Sequence, residues 1–449
     1  MSEAVRPEAV APPAVAASRE AVATARQAFE KALDRRLIAA LEVCARCGIC
    51  AESCHYYMST PDPAHVPAAR AEQVRAFYRR QHDPIGRLFP WLVGAKDLTE
   101  DDLDALQETA FASCTLCRRC TINCPFGVDT ALIMRAARGM LTAAGKAPEM
   151  LVMLADAAIA RGENADEFRE IYREIVTELE QEAQERTGDP TLRIPLDKKN
   201  ADILYVGLSG AHTILPAAII FHEARANWTL SMFEASNYGL FLGDPAKAKA
   251  IAKRLIDEAV ALGVKDVVLT ECGHAYTALR WEAPTWFGGE FPFRVRNIEE
   301  VIAEYIQEGR LDLDPSANPE PITYHDSCNL GRNGGLLEAP RIVLRAAVED
   351  FRELDPHGKE SVCCGGGGGL VAIPEWEEIR LRAGRKKAEQ VRAAGAPVVA
   401  TSCENCNLQL TDLNARYKLG VKVVGLMELV VNALLKAKGR NALAIADAA

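Results

Sequence analysis

The chain has 449 residues, about half of them apolar and a quarter charged, with a net charge of −10. That balance belongs to a globular protein of two or three domains and excludes a disordered scaffold, while so acidic a chain makes a poor phosphate-binding surface, so no nucleic-acid partner is expected. The longest apolar runs, 214–221 (ILPAAIIF) and 428–435 (ELVVNALL), are far shorter than the roughly 20 residues of a spanning helix.

Residues 1–25 lack the basic start and continuous apolar centre of a secretion signal and read as a disordered tail. From Arg26 the pattern turns helical: Phe29, Leu33, Leu37, Ile38 and Leu41 recur on one face and lead into the first cysteine group. A second helix is predicted from Asp129 or Thr130, through Leu132, Ala136, Met140 and Leu141, to a stop at Gly145. No strand-rich segment separates the two cysteine groups, so 26–150 is expected to be an α-helical domain. Residues 151–200 read as a helical linker, with Phe168, Ile171, Ile175, Val176 and Leu179 at helical spacing in a charged stretch taken to be solvated.

From residue 202 the chain repeats itself. ILYVGLS (203–209) lines up with ITYHDSC (322–328), and VVLTECGHA (267–275) with VVATSCENC (398–406). Helices between these pieces end at Gly263 and Gly395, and Asp244-Pro245 opens one of them in cap-then-proline order. Strands alternating with helices imply parallel sheets. The expected fold is therefore α+β and multidomain: the helical domain, then two pseudo-repeated α/β lobes over 201–318 and 319–440, with ligands gathering at the carboxyl ends of the strands.

Fourteen cysteines in tight spacings point to metal in a reducing compartment, with the cytoplasm as the expected address. Residues 44–54 read CARCGICAESC and 114–124 read CTLCRRCTINC, followed by Pro125. Each is C-x2-C-x2-C-x3-C, in which three cysteines wrap one cubane and the fourth reaches the neighbouring one. The spacing predicts one 4Fe-4S cubane on Cys44, Cys47, Cys50 and Cys124, and a second on Cys114, Cys117, Cys120 and Cys54. A structural zinc takes four ligands and would leave cysteines over from every group. The first motif departs from the pattern in one respect: His55, not proline, follows Cys54.

The carboxyl-terminal half holds Cys328, the adjacent pair Cys363 and Cys364 before five glycines (365–369), then Cys403 and Cys406. Vicinal cysteines bridge only with strain, which argues against a disulfide. This pattern resembles the cysteine-rich CCG domain of heterodisulfide reductases and of the iron–sulfur subunits of glycolate, lactate and anaerobic glycerol-3-phosphate dehydrogenases. With the paired ferredoxin motifs, residues from about 30 to 437 resemble the D subunit of heterodisulfide reductase and the K subunit of the sulfite-reductase-associated membrane complex.

The resemblance implies a noncubane 4Fe-4S cluster held by all five cysteines, at which a disulfide is opened. Gly365 and Gly366 then serve the cofactor by letting backbone approach it closely and adopt positive φ. The plainer alternative is a flexible glycine loop with four of the five thiols on a simple cube. In the first lobe Ser209, Asn237 with Tyr238, and Ala275 stand where the second has cysteines. Only Cys272 remains, so a second such cluster is excluded by ligand count. Cys272 beside His274 is either a reactive thiol or, preferably, a buried remnant of the duplicated ligand. His325, Asn329 and Arg332 flank Cys328 and are expected to orient a substrate, tune the cluster or supply a proton; a purely structural part is the alternative.

The favoured function is an electron-transfer subunit. Its implied partners are a membrane cytochrome b-type quinone-reactive subunit, held peripherally on the cytoplasmic face, and a thiol/disulfide carrier protein or small disulfide. No GxGxxG opens a helix after a strand, so the chain must borrow its electrons. The second reading is a relay for a flavin-dependent hydroxy-acid or acyl dehydrogenase, with a flavoprotein partner. A scaffold or redox sensor ranks last.

Overall fold

The computed structural model of the chain describes residues 13–208 and 210–440. Residues 1–12 of the expected tail, and Ser209 of the comparison between lobes, lie outside them. The rest of that tail is corrected: Pro13–Ala32 is a helix. Its alanine-rich sequence favours helix, and Val22, Ala25 and Phe29 pack at helical spacing into the core of the amino-terminal domain. The face expected to run unbroken from Arg26 to Leu41 is interrupted where Asp34 caps a new helix, Arg35–Glu42, by accepting from the Leu37 N–H at 2.8 Å. The helix predicted from Asp129 or Thr130 spans Thr130–Ala143, with Asp129 as its cap. Every strand of the described residues follows residue 202, so the amino-terminal domain is helical.

The expected solvated linker is also corrected. Helix Arg169–Thr187 buries Tyr172, Val176, Leu179 and Ala183 in the core of the first lobe, leaving Ile171 and Ile175 exposed. Its charges are numerous, but Tyr172, Val176, Leu179 and Ala183 recur at helical spacing and form an apolar stripe wide enough to pack.

Two four-stranded parallel sheets follow, in the same order. The first, β2-β1-β3-β4, is built from β1 (Ile203–Val206), β2 (Trp228–Leu230), β3 (Asp266–Leu269) and β4 (Arg294–Asn297); the second, β6-β5-β7-β8, from β5 (Ile322–His325), β6 (Phe351–Glu353), β7 (Val398–Thr401) and β8 (Lys422–Gly425). In register, Ile203 faces Asp266 as Ile322 faces Val398. The central strands are buried along their whole length, which is why they read as apolar runs without alternation. The two lobes share one core, in which Tyr205 and Val268 join Tyr324, Ala400 and Val424. Cys272, Cys328 and Cys403 stand just past the carboxyl ends of β3, β5 and β7. No helix of the described residues is long and apolar enough to cross a membrane.

Candidate iron–sulfur centres

The two ferredoxin motifs fold alike. In each, the second and fourth residues after the first cysteine take left-handed backbone: Arg46 (φ 54°) and Gly48 (φ 81°), then Leu116 (φ 57°) and Arg118 (φ 61°). Three of these four have side chains and are strained there; the loop so bent brings its first three cysteines to the border of one cavity. Two cavities result, one bordered by Cys44, Cys47, Cys50 and Cys124, the other by Cys54, Cys114, Cys117 and Cys120. Each cavity thus takes its fourth-position cysteine from the other motif. Cys120 borders both cavities, so the sites are neighbours.

Cys47 of the first site is exposed, whereas the second is overlaid by the buried Arg70, whose Nη2 donates to Cys54 Sγ at 2.7 Å. Burial works against that charge, but Cys54, Cys114 and Cys120 hold the Arg70 pKa above its ordinary value.

Cys328, Cys363, Cys364, Cys403 and Cys406 are 2–7 % exposed and form one sulfur-rich cluster. Cys364 Sγ lies 3.4 Å from Cys406 Sγ, and Cys363 Sγ receives the Gly365 N–H at 3.4 Å. Cys403 caps helix Glu404–Tyr417, and Cys406 lies within its first turn. Neighbouring thiols, first Cys117 and then Cys328, hold the Cys363 pKa below the ordinary thiol value; Cys406 first, helped by the Gly273 N–H, does the same for Cys403. Cys117 of the second ferredoxin site packs at the edge of this cluster. None of the fourteen cysteines is in a disulfide.

The glycine run is a seam between domains. A Cβ on Gly366 would meet Gln409 Cβ at 2.8 Å, on Gly367 the Thr115 carbonyl at 3.2 Å, and on Gly369 the Leu151 side chain at 2.9 Å. Gly365 (φ +102°) and Gly368 (φ +70°) also need backbone that side chains rarely adopt. Close approach and positive φ are the expected uses, but much of the approach is toward the ferredoxin loop 114–117.

Residues 40–128 match the 4Fe-4S dicluster domain family, and residues 322–411, which contain all five of these cysteines, match the cysteine-rich domain family. Across 88 % of the chain and 80 % of the relative, the sequence is 32 % identical to the Hdr-like menaquinol oxidoreductase iron–sulfur subunit 2 of Archaeoglobus fulgidus. The chain belongs to the heterodisulfide-reductase-like (Hdr-like) iron–sulfur subunits. It is also 25 % identical to the D subunit of the dihydromethanophenazine:CoB–CoM heterodisulfide reductase of Methanosarcina barkeri, over 88 % of this chain and 94 % of that one. A shorter match, 31 % identical over 155 residues, covers 33 % of this chain and 21 % of the EtfAB:quinone oxidoreductase of Syntrophomonas wolfei. The resemblance drawn from the motifs therefore holds: this Hdr-like protein is an iron–sulfur electron-transfer subunit of an oxidoreductase.

Residues of this Hdr-like chain also fit an iron–sulfur group at the five-cysteine site. The rings of His325 and His55 and the ammonium of Lys387 are buried among the cysteines with no hydrogen-bond partner. Orphaned donors cost about 1–3 kcal/mol each, and a sulfide-rich anion is the acceptor they fit. His325 lies with Cys364 and Cys406, its ligand atom and theirs all within 4.8 Å of one another. Burial first, then Lys387, holds its pKa well below the ordinary histidine value, which favours the neutral ring with its single N–H donor.

Arg332 is a clamp: it donates to the carbonyls of Lys359 (2.7 Å), Cys117 (2.8 Å) and Ser361. Asn329 accepts from Asn333 Nδ2 at 2.8 Å, and its Cβ lies 2.7 Å from where a Cβ on Gly273 would stand. Cys272 Sγ lies 3.3 Å from His274 Nδ1, but burial raises the thiol pKa and lowers the imidazole to about 4. Both shifts work against a thiolate–imidazolium pair and favour the buried remnant.

Sequence reasoning missed Lys387, whose setting RKKAEQ reads as a solvated helix although the residue is wholly buried. Burial first, offset by Cys364, Asp326 and Cys363, brings its pKa down to about 8. It also missed Gly273, through which the degenerate lobe reaches Cys403; the alignment of TECGHA with TSCENC was the available signal.

Proposed function

We propose that this subunit carries electrons inward through three sites in series: Cys44, Cys47, Cys50 and Cys124 nearest the surface, Cys54, Cys114, Cys117 and Cys120 next, and the five cysteines 328, 363, 364, 403 and 406 last. When bound, two cubane and one noncubane 4Fe-4S clusters supply one-electron storage at these places. The observation that carries this reading is Cys117, a member of the second site that packs against the five-cysteine cluster. Exposed Cys47 supports entry at the opposite end.

The chemistry proposed for the last site is disulfide reduction or its reverse: two electrons and two protons convert a disulfide to two thiols. His325 orients a sulfur there by hydrogen bonding, and Lys387 offsets negative charge. The electron partner proposed is a quinone-reactive membrane subunit of the cytochrome b type, with this chain peripheral on the cytoplasmic face, and the substrate is a thiol/disulfide carrier protein or small disulfide. The relative named as a menaquinol oxidoreductase subunit supports the quinone linkage.

The test is turnover of a small aromatic disulfide by the reconstituted protein with reduced viologen as donor. The wild type turns over, whereas Cys363→Ala fails while keeping the spectra of both ferredoxin sites; unchanged turnover in that variant refutes the assignment. Burial of all five sulfurs favours a second reading, a relay in which no disulfide reaches them and a flavoprotein is the partner. Absence of turnover in the fully loaded wild type selects it.

A further inference from the structure

In the second motif the fourth cysteine is followed by Pro125, in the first by His55. His55 opens the short helix His55–Ser59, is 2 % exposed, and has no hydrogen-bond partner at either ring nitrogen. A ring nitrogen of His55, Cys117 Sγ and Cys363 Sγ all lie within 4.8 Å of one another. These two sulfurs belong to different centres. The imidazole therefore stands where the second ferredoxin site meets the five-cysteine site, and Thr115 Oγ1, 3.4 Å from Cys363 Sγ, closes the same junction.

We propose that His55 is the positioning residue that couples these two centres. With Cys117 Sγ and Cys363 Sγ both within 4.8 Å of a ring nitrogen, its N–H is placed to serve the sulfurs of both ligand shells; there it would stabilise the electron-rich form of the centre it donates to and supply a short bridge between them. The proposal rests on the cluster assignments of the proposed function. A neutral imidazole carries one N–H donor, so no change of protonation is needed. Each transfer moves one electron from the second site, which is oxidised, to the five-cysteine site, which is reduced; the imidazole keeps its proton. Hydrogen bonds to cluster sulfurs are among the factors that set reduction potentials, and losing an outer partner of a metal ligand typically costs about tenfold or more in function. Proline could offer no such donor.

The experiment compares wild type with His55→Leu, which removes the donor, and His55→Gln, which restores an N–H. Iron content is measured first, then the midpoint potential of each centre by electron paramagnetic resonance during redox titration, and the internal transfer rate by rapid freeze-quench. The expected result is full iron in His55→Leu, a potential moved negative at the second or five-cysteine site with the first site unchanged, transfer slowed about tenfold, and substantial recovery in His55→Gln. Full iron with unchanged potentials and rate in His55→Leu overturns the proposal. If His55→Leu loses iron, His55→Gln decides: full iron with potentials near wild type supports the coupling role, and iron loss there too makes His55 a packing residue and overturns it. A wild type lacking iron at one of the two centres removes the cluster assignments themselves, a different failure visible before any variant is made.

Discussion

Arg138 donates through Nη1 to the carbonyl of Gly368 at 2.7 Å, joining the ferredoxin helix Thr130–Ala143 to the glycine run beside the adjacent cysteines. The same guanidinium reaches the carbonyls of Ala110 (2.9 Å), Phe241 (2.8 Å) and Cys114 (2.8 Å), so one wholly buried side chain ties together the helical domain and both lobes. Burial lowers its pKa to about 10, with Cys114 opposing, and it is still charged at neutral pH.

Arg138→Met strands four carbonyls and is expected to cost about 3–5 kcal/mol. Gly368→Ala places a methyl 2.8 Å from Arg138 Nη2 at positive φ and is expected to cost about 1–3 kcal/mol. Thermal unfolding of both variants checks this; wild-type stability in Gly368→Ala would remove the seam from the account.

Lys387→Met removes the buried ammonium facing Cys364, Cys363 and Cys406. The five-cysteine site is expected to become harder to reduce, with both ferredoxin potentials unmoved. Redox titration reads all three, and an equal shift at every site would mean a change in the fold.

Glu299 is 1 % exposed, accepts from Tyr324 OH at 3.0 Å, and has its pKa raised to about 7, chiefly by burial. The folded chain thus keeps this proton while the unfolded chain releases it, so its contribution is full below about pH 4.5 and is lost as pH rises to about 7. Glu163 and Glu258, also raised to about 7 by burial, act in the same direction. Melting temperature should fall from pH 5 to 7.5, and less steeply in Glu299→Gln, by an amount corresponding to at most about 3 kcal/mol.

Cys272→Ala should leave iron content and disulfide turnover unchanged and cost about 1–2 kcal/mol of stability, as for a small buried side chain. Iodoacetamide labelling of the native wild type should spare this thiol. Loss of turnover would restore a chemical part for it.

Much of the site was legible because its ligand spacing is local. CARCGICAESC and CTLCRRCTINC contain their own loop geometry, and the paired strands of the two lobes announce themselves through repeated sequence and glycine stops. What escaped depends on distant partners. Nothing near Arg138 or Lys387 says that residues far away in the chain will bury them. The Arg169–Thr187 helix was misjudged because its charges outnumber the Tyr172, Val176 and Leu179 stripe that the first lobe covers. The departure at His55 was visible as a missing proline, yet its neighbour Cys363 lies in the other half of the chain and only folding brings the two together.

The most direct test is iron and sulfide quantification with Mössbauer spectroscopy on anaerobically purified wild type and Cys363→Ala. About twelve irons per chain in the wild type, falling to about eight in the variant with two cubane-type components intact, is the predicted result. About eight irons in both, or zinc in place of iron at the five-cysteine site, would contradict the account.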